Sequence, residues 1–424
     1  MARGSVASSS RKKQKNRPEP AKRSEPAQPT QPLGGFGREL ANWLFPAYLG
    51  IILIGYYLIW RFGMPMASLN SVRALFIAIN AATLTGFQQS VGVLGLNSFG
   101  QFVVLMLIVA GSLFSMIVGG LAVRRIVRLG YSDGQIILGA IIAEAVAILL
   151  GLPFLRGINP DGGSFAALFL SASAFGNCGL FLSKEVPTSG FAVHWIILPM
   201  AIAGGLGLPV LMDLTASVFN QKPLSKHTWT CLTMSAWFYA IGFVIFAACL
   251  LPARDVPDAI RSASVLSVES RTGGMPIVSV RDVPGVGQWA MVVLMAIGGC
   301  SAGTAGGIKT TSIAELIRGT GDLLRGRAPR RALGFALVWL GVYLGIALAG
   351  ASLIALVDNG GGSDVALFNA VSAASNVGFS AAQISDDRNV MFAYSAIMLV
   401  GRWAPLMILW WMAEGSGESE WAIG

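Results

Sequence analysis

Four short stretches of this chain share one arrangement, in which small or polar residues lead to a glycine followed by a large apolar side chain. They read Thr83-Leu84-Thr85-Gly86-Phe87, Asn177-Cys178-Gly179-Leu180, Arg271-Thr272-Gly273-Gly274-Met275 and Asn376-Val377-Gly378-Phe379. The approaches Ser173-Ala174-Phe175-Gly176-Asn177 and Ser372-Ala373-Ala374-Ser375-Asn376 are closer still. The turn glycines Gly86, Gly179, Gly274 and Gly378 fall 93, 95 and 104 residues apart, a period even enough to set the architecture. Such turns have a definite chemistry available to them. A cation leaving water needs other oxygens, and backbone carbonyls supply them without a fixed charge that would trap it. Aiming successive carbonyls at one point requires backbone conformations that glycine adopts at little cost. Taken singly, each turn is also an ordinary glycine cap at a helix end. Four of them at matching positions favour a shared role, with the neighbouring Thr and Asn side chains bracing the loops.

The elements that would position these turns follow from hydropathy. Of 424 residues, 54% are hydrophobic and only 12% charged, too few for the surface of a soluble domain of this size. The composition predicts an all-α integral membrane protein. Eight long apolar segments run over about 44–60, 101–123, 135–153, 191–219, 231–252, 288–313, 332–357 and 389–413. Between the members of each pair lies a shorter helix-like segment, near 71–83, 164–175, 258–270 and 364–375, too short to cross a bilayer. The order of long helix, short pore helix, filter-like loop and long helix occurs four times. It divides the chain into modules 39–128, 129–228, 229–331 and 332–413, between a disordered basic tail at 1–38 and a C-terminal tail at 414–424. Arg124, Arg125 and Arg128, then Lys222 and Lys226, then Arg318, Arg325, Arg327, Arg330 and Arg331 follow the first three modules. With the basic N-terminus they put every inter-module loop and both termini on the cytoplasmic side. The short segments then dip in from outside around a central cavity, the setting in which irregular backbone survives at membrane depth. The N-terminal tail suits anionic lipid better than nucleic acid, and it lacks the form of a secretory signal.

A second motif runs Gly298-Gly299-Cys300-Ser301-Ala302-Gly303-Thr304-Ala305-Gly306-Gly307-Ile308-Lys309 and interrupts the segment at 288–313. It is not a phosphate-binding loop, because Ile308 stands where glycine should precede the lysine and no strand leads into it. It reads as a helix broken in mid-membrane beside the ion path. Arg402 lies inside the last span and must face the pore or an internal partner. Glu144 and Asp213 read as residues near the cytoplasmic ends of their spans, either relays for protons or ions, or partners of loop arginines. His194 reads as a surface or interfacial histidine, and Cys178, Cys231, Cys249 and Cys300 as small buried residues without a disulfide or metal pattern. No nucleophile and base pair can be assembled, which argues against an enzyme.

The four modules, the turns, Arg271-Thr272-Gly273-Gly274, the 303–310 stretch and Gly401-Arg402 together resemble the superfamily of K⁺ transporters comprising TrkH, KtrB and the plant HKT proteins. The resemblance covers about residues 40–413 and looks more like KtrB than TrkH, since no extra N-terminal helix pair is present. It implies K⁺ uptake across a bacterial cytoplasmic membrane, with K⁺ held only by backbone carbonyls. The filter positions would be Leu84, Thr85 and Gly86; Asn177, Cys178 and Gly179; Thr272, Gly273 and Gly274; and Asn376, Val377 and Gly378. The gate would be Gly303, Thr304, Ala305, Gly306, Gly307 and Lys309, restrained by Arg402. In plant relatives that prefer Na⁺ a serine replaces the first glycine, so Gly86 argues for K⁺, and Gly86→Ser should weaken ion selection in an intact fold. The resemblance further implies a homodimer in lipid on a cytoplasmic ring of nucleotide-binding regulatory subunits. This chain has no cofactor of its own and no GxGxxG, so nucleotide sensing would belong to that ring. Met275-Pro276, Gly111-Ser112-Leu113 and Cys300-Ser301-Ala302 depart from the usual wording. Two alternatives stay open: a Na⁺-permeable member, or one in which Na⁺ acts as a modulator, and a proton-coupled transporter using Glu144 or Asp213. The second is disfavoured by repeats that all run in one orientation.

Overall fold

A computed structural model describes Met1 and residues 35–65, 70–88, 92–127, 129–158, 163–183, 190–328, 331–358 and 362–415. The rest of the N-terminal tail, the end of the C-terminal tail, Arg128 and Arg330 lie outside these residues.

Where the sequence is long and continuously apolar, helices follow, because a bilayer leaves the backbone no partner but itself. Helix α1 (Gly35–Leu58) continues through a π turn at Ile59–Gly63. The others of spanning length are α3 (Ser98–Val127), α4 (Asp133–Ile158), α9 (Lys226–Leu250), α13 (Arg331–Val357) and α15 (Arg388–Gly415). Among the described residues six helices are long and apolar enough to cross a membrane, or seven if the bent pair at Gly190–Leu206 and Leu208–Asn220 counts as one span. Leu149, Leu150, Trp237 and Val244 stand exposed on α4 and α9, large apolar surfaces suited to lipid. The chain is a multi-pass membrane protein by these features.

The four short helices are α2 (Ser71–Ala82), α5 (Gly163–Gly176), α10 (Val256–Glu269) and α14 (Ser363–Ala374). At 12 to 14 residues each, they are about 18–21 Å long, well under the bilayer core. Asn70 starts α2 by accepting the Val72 and Arg73 amides on its side chain at 3.0 and 3.4 Å. Each short helix packs against its own preceding long helix, α1, α4, α9 or α13. Each also meets a helix from the preceding repeat: α3 packs on α5, α15 on α2, α7 (Leu198–Leu206) on α10, and α11 (Gly285–Ala296) on α14. Those contacts close into a circle, with the C-terminal ends of the short helices inside it.

Two of the long segments are broken, that at 191–219 against expectation and that at 288–313 as the sequence led us to expect. The segment at 191–219 enters as α6 (Gly190–Ala192), passes a π turn at Val193–Ile197 into α7, and bends by 104° before α8 (Leu208–Asn220). The bend is at Gly207, whose φ of 84° lies in the left-handed region, while Pro209 starts the next helix. The segment at 288–313 separates into α11 and α12 (Thr310–Leu324) around an irregular loop at 297–309. Glu144 also differs from expectation. It sits midway along α4, buried, and accepts the Ser112 hydroxyl of α3; its partner is not a loop arginine. Asp213 accepts the Ser225 amide at 2.8 Å, so its partner is local backbone. His194 is half-buried, with Nδ1 3.1 Å from the Gly190 carbonyl oxygen.

Candidate functional site

The four turns meet backbone to backbone. A Cβ at Gly86 would stand 1.5 Å from the Cys178 carbonyl oxygen, one at Gly179 2.2 Å from that of Gly273, one at Gly274 2.0 Å from that of Val377, and one at Gly378 2.0 Å from that of Thr85. First meets second, second third, third fourth, and fourth first. All four glycines have positive φ, of 85°, 74°, 53° and 95° in chain order. Two residues earlier, Leu84, Asn177 and Asn376 are left-handed as well, at 58°, 55° and 51°, whereas Thr272 is not among the positive-φ residues. A β-branched side chain is the least suited to that region, and the third turn has a second glycine, Gly273, instead. Gly86→Ser would disturb the ring, because its Cβ would collide with backbone that has no rotamer to change.

Side chains behind the ring hold it in shape. Asn80 accepts the Gly86 and Phe87 amides at 2.8 and 3.0 Å and donates to the Phe87 carbonyl at 2.9 Å. Ser372 accepts the Gly378 amide at 3.0 Å, and Glu269 accepts the Met275 amide at 3.0 Å. Asn177 donates to the Ala201 carbonyl and to the Thr304 hydroxyl at 3.0 and 2.7 Å. Asn376 donates to the Met398 carbonyl and the Thr85 hydroxyl at 2.9 and 3.0 Å. Asn80, Ser372 and Glu269 escaped the sequence reading. A signal did exist for two of them, since Asn80 and Ser372 both lie six residues before their turn glycine.

The loop at 297–309 sits against these turns. A short bridge between Ile297 and Ile308 closes its neck. Its amides use carbonyls freed by the bend at Gly207: Cys300 donates to Gly205 at 2.8 Å and Thr304 to Gly204 at 3.0 Å. Thr304 also donates its hydroxyl to the Phe175 carbonyl at 3.1 Å, and a Cβ at Gly306 would lie 2.0 Å from the Ser375 carbonyl oxygen. The loop thus touches the second and fourth turns directly. Arg402, 3% exposed, donates from Nε to the Thr83 carbonyl at 2.8 Å and from Nη1 to the Thr304 carbonyl at 2.7 Å. It joins the first turn to the loop, and among the described residues no carboxylate lies within ion-pair distance of it. Lys309 donates to the Ala305 carbonyl at 2.7 Å. Arg271 donates to the Gly298 carbonyl at 3.1 Å and, at the hydrogen-bond limit of 3.4 Å, to those of Ile297 and Ser235. Three buried cations therefore lie on carbonyl oxygens, the partners available where helices are broken. The predicted filter and gate residues come together in one region, at the centre of the circle of helices.

Fold and site together define a helical membrane protein built around four converging backbone turns. No protein-family model matches the chain. In sequence it is 25% identical over 414 residues to Ktr system potassium uptake protein B of Vibrio alginolyticus, covering 87% of this chain and 90% of that one. It is 24% identical over 324 residues to potassium/sodium uptake protein NtpJ of Enterococcus hirae, covering 67% of this chain and 72% of the relative. In fold it matches the crystal structure of the potassium transporter TrkH from Vibrio parahaemolyticus, with a TM-score of 0.64 at 18% identity over 86% of this chain and 84% of that one. These matches show a likeness to Ktr and NtpJ uptake proteins in sequence and to TrkH in fold, which supports the resemblance to the TrkH/KtrB superfamily.

Proposed function

We propose that this chain takes up potassium across the cell membrane, along an axis lined by the four turns. The observation that carries the reading is the closed ring in which each turn glycine abuts the carbonyl of the next turn. Four carbonyls, of Thr85, Cys178, Gly273 and Val377, replace water around a dehydrated K⁺ without a fixed charge to hold it. The C-terminal ends of α2, α5, α10 and α14 add negative dipole ends facing the same point. The names of the sequence relatives, potassium uptake proteins of a Ktr system and NtpJ, support the same substrate.

On this reading the chain has eight spans in four modules, 39–128, 129–228, 229–331 and 332–413. The bent α6–α8 unit and the interrupted α11–α12 unit each count as one crossing. Basic loops and both termini face the cytoplasm of a bacterial cell. The loop at 297–309 is the gate and Arg402 its latch, since one guanidinium holds both a turn carbonyl and a loop carbonyl. The assembly is a homodimer in lipid on a separate nucleotide-binding regulatory ring. The Ktr system named for several relatives supports further components, and K⁺ is cargo rather than cofactor.

A sodium-permeable transporter of the same build is the second reading, favoured by the potassium/sodium name of the NtpJ relative. The test is K⁺ against Na⁺ flux by the purified protein in vesicles of defined lipid. Flux of K⁺ well above Na⁺ is expected. Comparable flux of both ions favours the second reading, and flux of neither overturns both.

A further inference from the structure

The potassium reading makes no use of a pair of thiols lying between the loop and the neighbouring span. Cys231 on α9 and Cys300 in the loop are both fully buried. They pack with Val210 in a small cluster apart from the main core. The Cys300 sulfur lies 3.8 Å from the Cys231 carbonyl oxygen, within hydrogen-bond reach of it. The surroundings are polar. The Thr310 hydroxyl donates to the Cys300 sulfur at 3.2 Å, and the Ser235 hydroxyl is 3.6 Å from it. On the other side, His227 Nε2 is 3.6 Å from the Cys231 sulfur. His227, Cys231 and Ser235 recur every fourth residue, so α9 presents them on one face. Arg271, bonded to the carbonyls of Gly298 and Ser235, brings positive charge to the same place. Hydroxyl donors, a cation and an imidazole are the groups that favour a thiolate and accept its proton. Two cavities reach the residues around the pair, though not the cysteines themselves: one of about 250 Å³ walled by Ser235, Arg271 and Gly299, and one of about 90 Å³ walled by His227, Ser301 and Thr311. Both have room for a small oxidant.

We propose that Cys231 and Cys300 form a redox-active pair, oxidised by a small hydroperoxide to a disulfide that ties the loop to α9. The Cys300 thiolate attacks the outer peroxide oxygen. The O–O bond breaks, an alcohol (water, for hydrogen peroxide) leaves with the thiol proton, and Cys300 becomes a sulfenic acid. The Cys231 sulfur then attacks the Cys300 sulfur, the S–O bond breaks, the S–S bond forms, and water leaves. His227 takes the Cys231 proton and returns it to the departing hydroxide. Two electrons pass from the two sulfurs to the peroxide. A loop fastened in this way cannot move aside, so oxidation closes the path and reduction reopens it. The effect on flux rests on reading the loop as the gate, whereas formation of the bond does not.

The experiment uses the full chain in lipid vesicles, treated with hydrogen peroxide and then with dithiothreitol. Peptide mass spectrometry reads the thiols and K⁺ flux reads the loop. The expected result is a peptide joining residues 231 and 300, two hydrogens lighter than its reduced parts and reversed by dithiothreitol. Flux is lost on oxidation and restored on reduction. Cys231→Ser, checked for folding by gel filtration, has the same flux with and without peroxide. A bond that forms without loss of flux establishes the pair and removes the loop as the gate. If peroxide leaves both thiols free, or carries them singly to sulfinic acid without a bond, the proposal is overturned.

Discussion

The third turn is built differently from the other three, and the difference follows what lies behind it. Behind the first and fourth turns run α3 and α15, unbroken, and behind the second runs α7 as far as Leu206. Arg402 apart, which reaches the Thr83 carbonyl of the first turn, those turns are held by neutral groups, with Asn177 and Asn376 reaching carbonyls of the helix behind. Behind the third turn the span is interrupted, and freed carbonyls at Ile297 and Gly298 face Arg271. The brace of the first turn is the amide Asn80 and that of the fourth the hydroxyl Ser372, while that of the third is the carboxyl Glu269. Even the five-residue backbone bond closing each turn is displaced. It joins Thr85 to Asn80, Cys178 to Ser173 and Val377 to Ser372, but Gly274 rather than Gly273 to its partner Glu269. The third repeat thus uses a carboxyl for its turn and an arginine for the carbonyls freed behind it, where the second and fourth use neutral groups. A loop that must move needs acceptors that are not locked into a helix, and charged groups provide strong bonds to them.

The comparison is broken most severely at the ring itself, which all four turns share. Gly378→Ala places a Cβ 2.0 Å from the Thr85 carbonyl oxygen at a φ of 95°, and Gly86→Ser does the same against Cys178. The left-handed backbone alone costs about 1–2 kcal/mol for an L side chain, and the collision adds to it. Selective K⁺ flux should disappear in both variants, with lowered thermal stability in detergent. Wild-type K⁺ over Na⁺ selection in either folded variant would show that the ring does not meet the ion.

The next effect in size separates latch from scaffold. Arg402→Gln removes the charge and two-point grip that join Thr83 to Thr304. K⁺ flux should rise several-fold while stability falls by about 1–3 kcal/mol, the cost of a buried acceptor left without its donor. A stability loss with unchanged or lower flux assigns Arg402 to structure alone. Glu269→Gln is smaller again, since the amide oxygen can still accept from Met275. Only the carboxyl's capacity for negative charge is lost, and that acts on a nearby cation through Coulomb attraction alone. The KM for K⁺ should rise about tenfold with little change in melting temperature. The reverse pattern would make Glu269 a brace like Asn80.

The sequence carried the short helices almost to the residue, because a run too brief to span and rich in small residues ends at a glycine turn in every repeat. It also carried the meeting of turns and loop, through repetition for the turns and through glycine density for the loop. It did not carry the bend at Gly207. Gly204-Gly205-Leu206-Gly207 lies inside the segment expected to run unbroken over 191–219, and nothing local shows that its carbonyls serve the loop amides 95 and 100 residues further on, at Cys300 and Thr304. Nor did it carry the placement of Glu144 or the proximity of Cys231 to Cys300. Both depend on which helix faces which, and hydropathy says nothing of that.

The finest test compares two serines that the repeat makes equivalent. Ser173 and Ser372 each lie six residues before a turn glycine, each fully buried, and each gives its carbonyl to the same backbone bond. Their hydroxyls part company. That of Ser372 accepts the Gly378 amide at 3.0 Å, whereas that of Ser173 has no hydrogen-bond partner. The same change, serine to alanine, removes a used hydroxyl in the fourth turn and an unused one in the second. Ser372→Ala leaves a buried amide without its acceptor, a loss of about 1–3 kcal/mol, with a matching decline in K⁺ over Na⁺ selection because Gly378 is freed to shift. Ser173→Ala deletes a buried polar group that makes no bond, so stability should hold or rise slightly. Thermal melts of the two variants in one detergent, with flux ratios in vesicles, decide the matter. Equal losses at both positions would mean that the second turn uses its serine as the fourth does. The contrast between neutral and charged bracing would then rest on the third turn alone, with the second and fourth braced by the same hydroxyl.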